Sequence, residues 1–514
     1  MDYGKIMKNK LSHFILFLLT TILLFTMTAC NNSTDPLATN KPTASPTPVP
    51  RPKRDFFTEI YKEGFMDSTE ATLQLLDEYA NYMRDNVVES TSNYIVNENA
   101  TVYYFSENGS SLNDGLSPET PKSTLYDLRH NITLKEGDVV LFERGSIFRG
   151  TIVARSGVTY SAYGEGAKPI ICGSTQDYGS PGLWKESEYE NVYICNKRIN
   201  NAGNIVFDNT WILGDYEQTL GNLRVLGLDG FTGPQDLDKD LDFYCDIENK
   251  TLYLYSSQGN PGERFETIEI CEKEDIFDLV NVKNVIIDNL HITLGGAHGV
   301  GAANANNLTV RNCIFNWIGG SVQHGTTRYG NAVESYVSSH NFYVYNNWIY
   351  QIYDTGITSQ LNAGKDTVRS EMYDNEYYDN LIEYCFWSFE YFHRPTETSV
   401  CVTKNIYVHD NYCRMGGEGW GRPGAGHMCC FAPRGETIEN IRIENNIFDR
   451  GNCFLVSTYE ADASELTYNE NIYVQSEGEL IARIRSTNYR MNADSLDVFN
   501  NLVGDKKACV ICVK

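Results

Sequence analysis

NVIIDNLHI from Asn284, NLTVRNCIF from Asn307, NFYVYNNWI from Asn341, NEYYDNLIE from Asn375, NIYVHDNYC from Asn405 and NIRIENNIF from Asn440 are one phrase written six times. A second Asn returns inside each copy, at Asn289, Asn312, Asn347, Asn380, Asn411 and Asn446, with gaps of 23, 35, 33, 31 and 35 residues by subtraction. Self-similarity at periods of about 20 to 50 residues marks a solenoid.

The phrase says which solenoid. Apolar and polar residues alternate with period two, as in a half-buried strand. β-Branched and aromatic residues fill it, and no helical period lies between copies, which excludes leucine-rich and helical repeats. The returning Asn suits a turn position in the left-handed region, which Asn tolerates. Stacked coils would set these side chains in a ladder. The reading is an all-β fold, a right-handed parallel β-helix, with loops of unequal length inserted between coils on one face.

Working outward, Lys5, Lys8 and Lys10 precede an apolar run from about Phe14 to Met27, followed by Thr28-Ala29-Cys30. Such a run is short for a membrane span and reads as a secretory signal. It resembles a bacterial lipoprotein signal over residues 1–30, which implies lipidation of Cys30. Residues 31–54 are rich in Pro, Thr and Ser and read as an extended tether. The expected setting is extracellular, with a monomeric body held to a bacterial membrane through lipid on Cys30.

Residues 55–100 hold one helix: Asp67 and Glu70 form a capping box, and Leu73, Leu76, Ala80, Met83 and Val87 share a face. An N-terminal capping helix over an open end of the solenoid is expected, because such ends expose unpaired strand edges; the alternative is a spacer lying on the domain. The β-helix itself is placed at 101–514. Residues 175–270 lack the repeat; WILGDYEQ and LDFYCDIENKTLYLYSS read as hairpin strands of an inserted β subdomain, able to wall one side of a cleft.

The formal net charge of −25 disfavours nucleic acid as a partner. Of 14 cysteines, 13 remain beyond Cys30, irregularly spaced, and they read as buried thiols. Cys509-Val-Ile-Cys512 is a lone pair and reads as part of a final strand. No cofactor and no metal site are expected.

VYYFSENGSSLNDGLSPETPKSTLYDL from Val102 and LKEGDVVLFERGSIFRGTIVARSGVTYSAYGEGAKPII from Leu134 carry turn-and-strand punctuation. This opening, with the repeat, resembles the pectate-lyase-like right-handed β-helix proteins over about residues 101–475. The resemblance implies a polysaccharide-active protein. It does not choose a reaction, because hydrolases, lyases and non-catalytic proteins share the scaffold.

Aligned on inward residues Val300, Val333, Ile357, Phe389 and Met428, the second strand of each coil has two neighbouring columns that alternation sends outward. Gly299, Ala332, Gly356, Ser388 and His427 form one, expected as a floor; Glu334, Thr358 and Glu390 stand in the other. Asp354 precedes the strand between the two glutamates. Glycoside hydrolysis needs two carboxyls, about 5 Å apart for retention and about 6.5–9.5 Å for inversion. The expected catalytic set is Asp354, Glu334 and Glu390, assisted by His427. Trp420, Glu418 and His298 are expected to bind the glycan, as is Tyr391 beside the acids. Arg394 and Arg422 would bind a uronate carboxylate. The alternatives are a uronate-specific lyase and a surface glycan-binding protein. A lyase would need a Lys or Arg base beside Asp-bound calcium, and no such Asp cluster is evident on this face.

Overall fold

The computed structural model describes residues 63–362, 369–394, 400–421, 424–431, 438–458 and 466–514. Cys30, the 31–54 tether and Arg422 lie outside them. Among the described residues, no helix is long and apolar enough to cross a membrane.

Three long sheets wind around one core. Sheet I has 11 strands and sheets II and III have 10 each. A coil runs through them in turn: Asn306–Arg311 in sheet II, Ile314–Ile318 in sheet I, Val333–Tyr336 in sheet III. Each pairs in parallel with its counterpart in the next coil, as Ile314 with Trp348 and Val333 with Ile357. Within sheet I, Phe315, Ile349, Ile382, Cys413 and Phe448 point into the cylinder and are buried there. The chain is therefore the right-handed parallel β-helix that the repeat implied.

The Asn ladder is real but displaced by one residue. The left-handed position is taken by Asn346, Asp379, Asp410 and Asn445, at φ 50°, 55°, 57° and 54°. The following Asn turns inward instead. Asn347 Nδ2 donates to Asn380 Oδ1 (2.9 Å), Asn380 to Asn411 (2.9 Å) and Asn411 to Asn446 (3.0 Å). The ladder continues through Asn471 and ends on the Asp505 carboxylate. Only Asn289 and Asn312 sit in the left-handed position themselves. In those coils Leu290 and Cys313 stand where the ladder Asn would be. Asn411→Ala leaves the Asn380 amide and side-chain donors buried without their acceptor. It should cost about 1–3 kcal/mol, read as a lower midpoint in thermal unfolding.

The helix spans Glu70–Glu89, and its capping box is Thr69 with Thr72 rather than Asp67 with Glu70. It does not close an end. Its buried side chains Leu76, Tyr79, Ala80, Met83 and Val87 join one cluster with Ile314, Trp348, Leu381, Tyr412, Ile447 and Ile472. Those six lead successive strands of sheet I, on its outer face. An apolar outer column must be covered, and the helix lies across it. That end of sheet I is formed by the preceding strand, Gly64–Asp67, which pairs in parallel with the last strand, Cys509–Val513.

The insertion begins after Ile170–Cys172 of sheet I and returns at Phe277–Val280 of sheet III. It carries a five-stranded and a three-stranded sheet around its own core of Trp184, Ile205, Phe243, Leu252 and Ile268. It thus occupies one corner of one coil, beside the start of sheet III. Of the 13 cysteines beyond Cys30, 12 are buried.

Candidate active site

Along sheet III the inward residues Val300, Val333, Ile357, Phe389 and Met428 pair in register and lie in the core. Their successors share the outer face. Asp278, Gly301, Glu334, Thr358, Glu390 and Cys429 stand opposite one another, coil by coil. Glu334 and Glu390 are therefore on one column, two coils apart.

Gly301 interrupts this column only in sequence. Asp275 reaches over it from the insertion's return segment, and a Cβ on Gly301 would overlap Asp275 Oδ2. Asp275 Oδ1 accepts the His298 backbone N–H at 3.2 Å. Burial raises its carboxyl above the usual range; His298 pulls it down and Glu334 pushes it up. Glu334 Oε2 lies 2.9 Å from His298 Nε2. Burial works against a charged imidazole, but Glu334, Asp275 and Asp354 outweigh it and draw the His298 pKa up to about 9. The Asn331 N–H, 3.1 Å from Nδ1, resists the second proton and favours the tautomer in which Nε2–H donates to Glu334.

Glu390 is the other pole. Its Oε2 accepts from Gln360 Nε2 at 2.6 Å and Thr358 Oγ1 at 3.4 Å. Burial, then the Asp354 carboxylate, push its pKa up to about 7, against those hydrogen bonds; Glu334 adds to the rise. Asp354 is held at the start of its strand, its N–H on the Gly330 carbonyl (3.2 Å) and its carbonyl on the Trp387 N–H (3.0 Å). Its charge is felt by Glu390, His298 and Tyr329. Burial, then Glu334, Tyr336 and Asp354, raise the Tyr329 phenol. The three expected carboxyls thus share one neighbourhood.

A cleft of about 340 Å³ opens over Asp275, His298, Glu334 and Tyr336, walled by Lys273 and Gln323. The insertion forms that wall. Lys273 Nζ donates to the Gln323 carbonyl (3.1 Å), Asn201 Nδ2 to Val322 O (2.8 Å) and Arg328 Nη2 to Gly203 O (3.2 Å). A smaller hollow of about 120 Å³, lined by Leu125, Leu128, Arg129 and Arg155, carries no carboxyl. Among the described residues, no group of three or more His, Cys, Asp or Glu is arranged to hold a metal.

The expected floor is absent. Ala332, Ser388 and His427 are buried, and a Cβ on Gly356 would strike Ile382. These residues sit where the chain turns the corner from sheet I and face its inward side chains: Gly299 meets Phe315, Gly356 meets Ile349 and Ile382, and His427 stacks on Phe448. His427 consequently does not assist at the site. Its Nδ1 meets Ser388 Oγ at 2.9 Å, its Nε2 faces the Arg450 and Asp449 carbonyls, and burial pushes its pKa down to about 4.

Tyr391 is corrected too. Glu390 points outward, so Tyr391 points in, buried, with its hydroxyl 2.6 Å from Thr403 Oγ1. Trp420 is a packing residue: its backbone and indole N–H groups both donate to Gln351, and its ring centre lies 5.0 Å from that of Tyr353. Glu418 is exposed and accepts from Asn452 at 3.4 Å. Arg394 is exposed on the outer face, four residues beyond Glu390, about 13 Å along the strand. His298 lies in the cleft. Asp275, Tyr329 and Gln360 were not singled out from the sequence; the break in the acid column at Gly301 was the available signal for the first.

No family model matches the chain. No curated protein matches it either. Among solved structures it is similar to a "Glycoside hydrolase" at 12% identity, covering 75% of this chain and 94% of that one, TM-score 0.43. It is also similar to XylC in complex with xylose, at 13% identity, 80% and 82% coverage and TM-score 0.39. A rhamnogalacturonan lyase matches at 11% identity, 80% and 86% coverage and TM-score 0.38. The fold assignment stands on the strand pairing, and the site is read from its own atoms.

Proposed function

We propose that the chain is a glycoside hydrolase acting on a polysaccharide or oligosaccharide, with Glu390 as the general acid and Asp354 as its carboxylate partner. One arrangement carries this: on the outer face of sheet III, Gln360 and Thr358 hold the Glu390 carboxyl in a half-buried position where burial and the Asp354 charge push its pKa up to about 7. Environments that push two carboxyls apart in pKa define acid and base roles.

Electrostatics selects the partner. Asp354 is the carboxyl whose charge weighs most on Glu390, and the separation of the two carboxyls decides between retention and inversion. Glu334 is two coils from Glu390, about 10 Å at the backbone, and is engaged by His298. Its role is to hold that histidine and the cleft wall.

Incubation with a polysaccharide panel tests the reaction class. Hydrolysis releases reducing ends, and the configuration of the anomer first formed tells whether Asp354 acts as nucleophile or as base. Unsaturated uronate products with no reducing-end release by water would make the protein a lyase. Binding without any turnover would make it a glycan-binding module.

We further infer that the site works at the bacterial surface, on a monomer anchored through Cys30. This rests on the charged, apolar and small-residue order of positions 1–30 and on the Pro/Thr/Ser-rich 31–54. Cys30→Ala should shift the chain from the membrane pellet to the soluble fraction. An unchanged distribution would remove the anchor from the account.

A further inference from the structure

We propose that the cleft over Asp275, His298 and Glu334 is a sugar subsite built for an uncharged glycan and closed to uronates. The inference rests on the hydrolase reading and names its substrate class.

The cleft's volume, about 340 Å³, falls within the roughly 300–1,000 Å³ of small-ligand sites. Tyr336 follows Glu334 by two residues on the same face and lines the cleft. An aromatic side chain there suits the apolar face of a pyranose. The rest of the lining mixes small apolar residues, such as Ala297 and Ala302, with polar ones that are mostly acidic.

Three acids line the space, Glu274, Asp275 and Glu334, against two bases, Lys273 and His298. Asp278 stands one coil below Gly301 on the same column, and Asp354 acts on His298 from the other side. The bases are already engaged. His298 Nε2 is on Glu334, and Lys273 Nζ is on the Gln323 carbonyl. Arg328, nearby, lies over the Tyr353 ring with its Nε on the Gly320 carbonyl (2.6 Å). A carboxylate on the sugar would enter a field of like charge with no bidentate Arg to receive it. Hydroxyl groups meet no such penalty and find carboxylate acceptors on Asp275 and Glu334. Selection against the charged sugar is thus a repulsive device, and it depends on Gly301 leaving room for Asp275.

Calorimetry on the full-length chain carrying Glu390→Gln, which halts turnover, tests this. The probes are tetrasaccharides of xylose, glucose, mannose, galactose and N-acetylglucosamine, and an oligogalacturonate of the same length. At least one neutral probe should bind at least about tenfold more tightly than the oligogalacturonate. Asp275→Asn should raise oligogalacturonate affinity about tenfold. Glu274→Gln, at an exposed position, should move it the same way by less and guards against misfolding of the first variant. Equal or tighter oligogalacturonate binding, or no neutral probe binding at millimolar concentration, overturns the inference. The two readings fail separately. Neutral binding with no turnover by the wild-type chain removes the hydrolase and leaves the subsite; turnover confined to uronate polymers does the reverse.

Discussion

Glu390→Gln should leave the protein folded and lower kcat by about 10²–10⁴-fold, the usual contribution of a positioned acid. The amide keeps the size of the side chain and an oxygen to accept from Gln360, which now donates at 2.6 Å, so binding should change little. Loss concentrated in kcat identifies a group that acts in the transition state. An unchanged kcat removes Glu390 from the mechanism.

The same carboxyl sets the pH profile. Burial and Asp354 raise it from 4.5 to about 7, and it must be protonated to act, so activity should fall as pH rises through about 7. Asp354→Asn removes the nearest anion and should move that limb to lower pH, alongside its own loss of turnover. Stability carries the matching sign. A folded pKa above the unfolded value favours folding fully below about 4.5, and that contribution is lost as pH rises through about 7. Glu390→Gln should flatten this part of the stability curve.

Glu383→Ala is the structural counterpart, with an expected cost of about 3–5 kcal/mol from breaking a buried ion pair. Glu383 lies beneath the helix, 1% exposed at its side chain. Arg84 of the helix grips it in two bonds of 3.0 and 2.6 Å, Tyr216 of the insertion donates at 2.9 Å and Trp348 Nε1 at 3.0 Å. Arg414 lies 3.6 Å away. Truncation strands the Arg84 guanidinium in a covered interface, while Arg414 keeps Asp77 and Asp449. Thermal unfolding should show a large drop in midpoint, and proteolysis should reach the 70–89 helix first. Glu383→Gln keeps acceptors without charge and should fall between.

The winding was legible because the inward column obeys a period of two through every coil, from Val300 to Met428. So was the alignment of Glu334 with Glu390, which follows from the same count. Tyr391 was legible by that rule as well: a residue next to an outward Glu points inward. The corner residues Gly299 to His427 were not, because strict alternation fails where the chain bends between two sheets and these residues turn inward. Asp275 was hidden because it comes from a loop of the preceding coil and enters the column sideways. The helix was placed wrongly because the apolar run Ile314, Trp348, Leu381, Tyr412, Ile447 and Ile472 belongs to the outer face. Both parities of sheet I are apolar, so that sheet needs a lid on its flank.

The pairing of Gly64–Asp67 with Cys509–Val513 has a consequence for assembly. The strand made early must wait for the one made late, so this seam forms only after the whole spiral has been laid down. Until then the bottom rung of sheet I is a live template for another molecule. Once the seam is shut, the sheet ends instead on the four residues Gly64–Asp67, and so short an edge strand is a poor template for stacking.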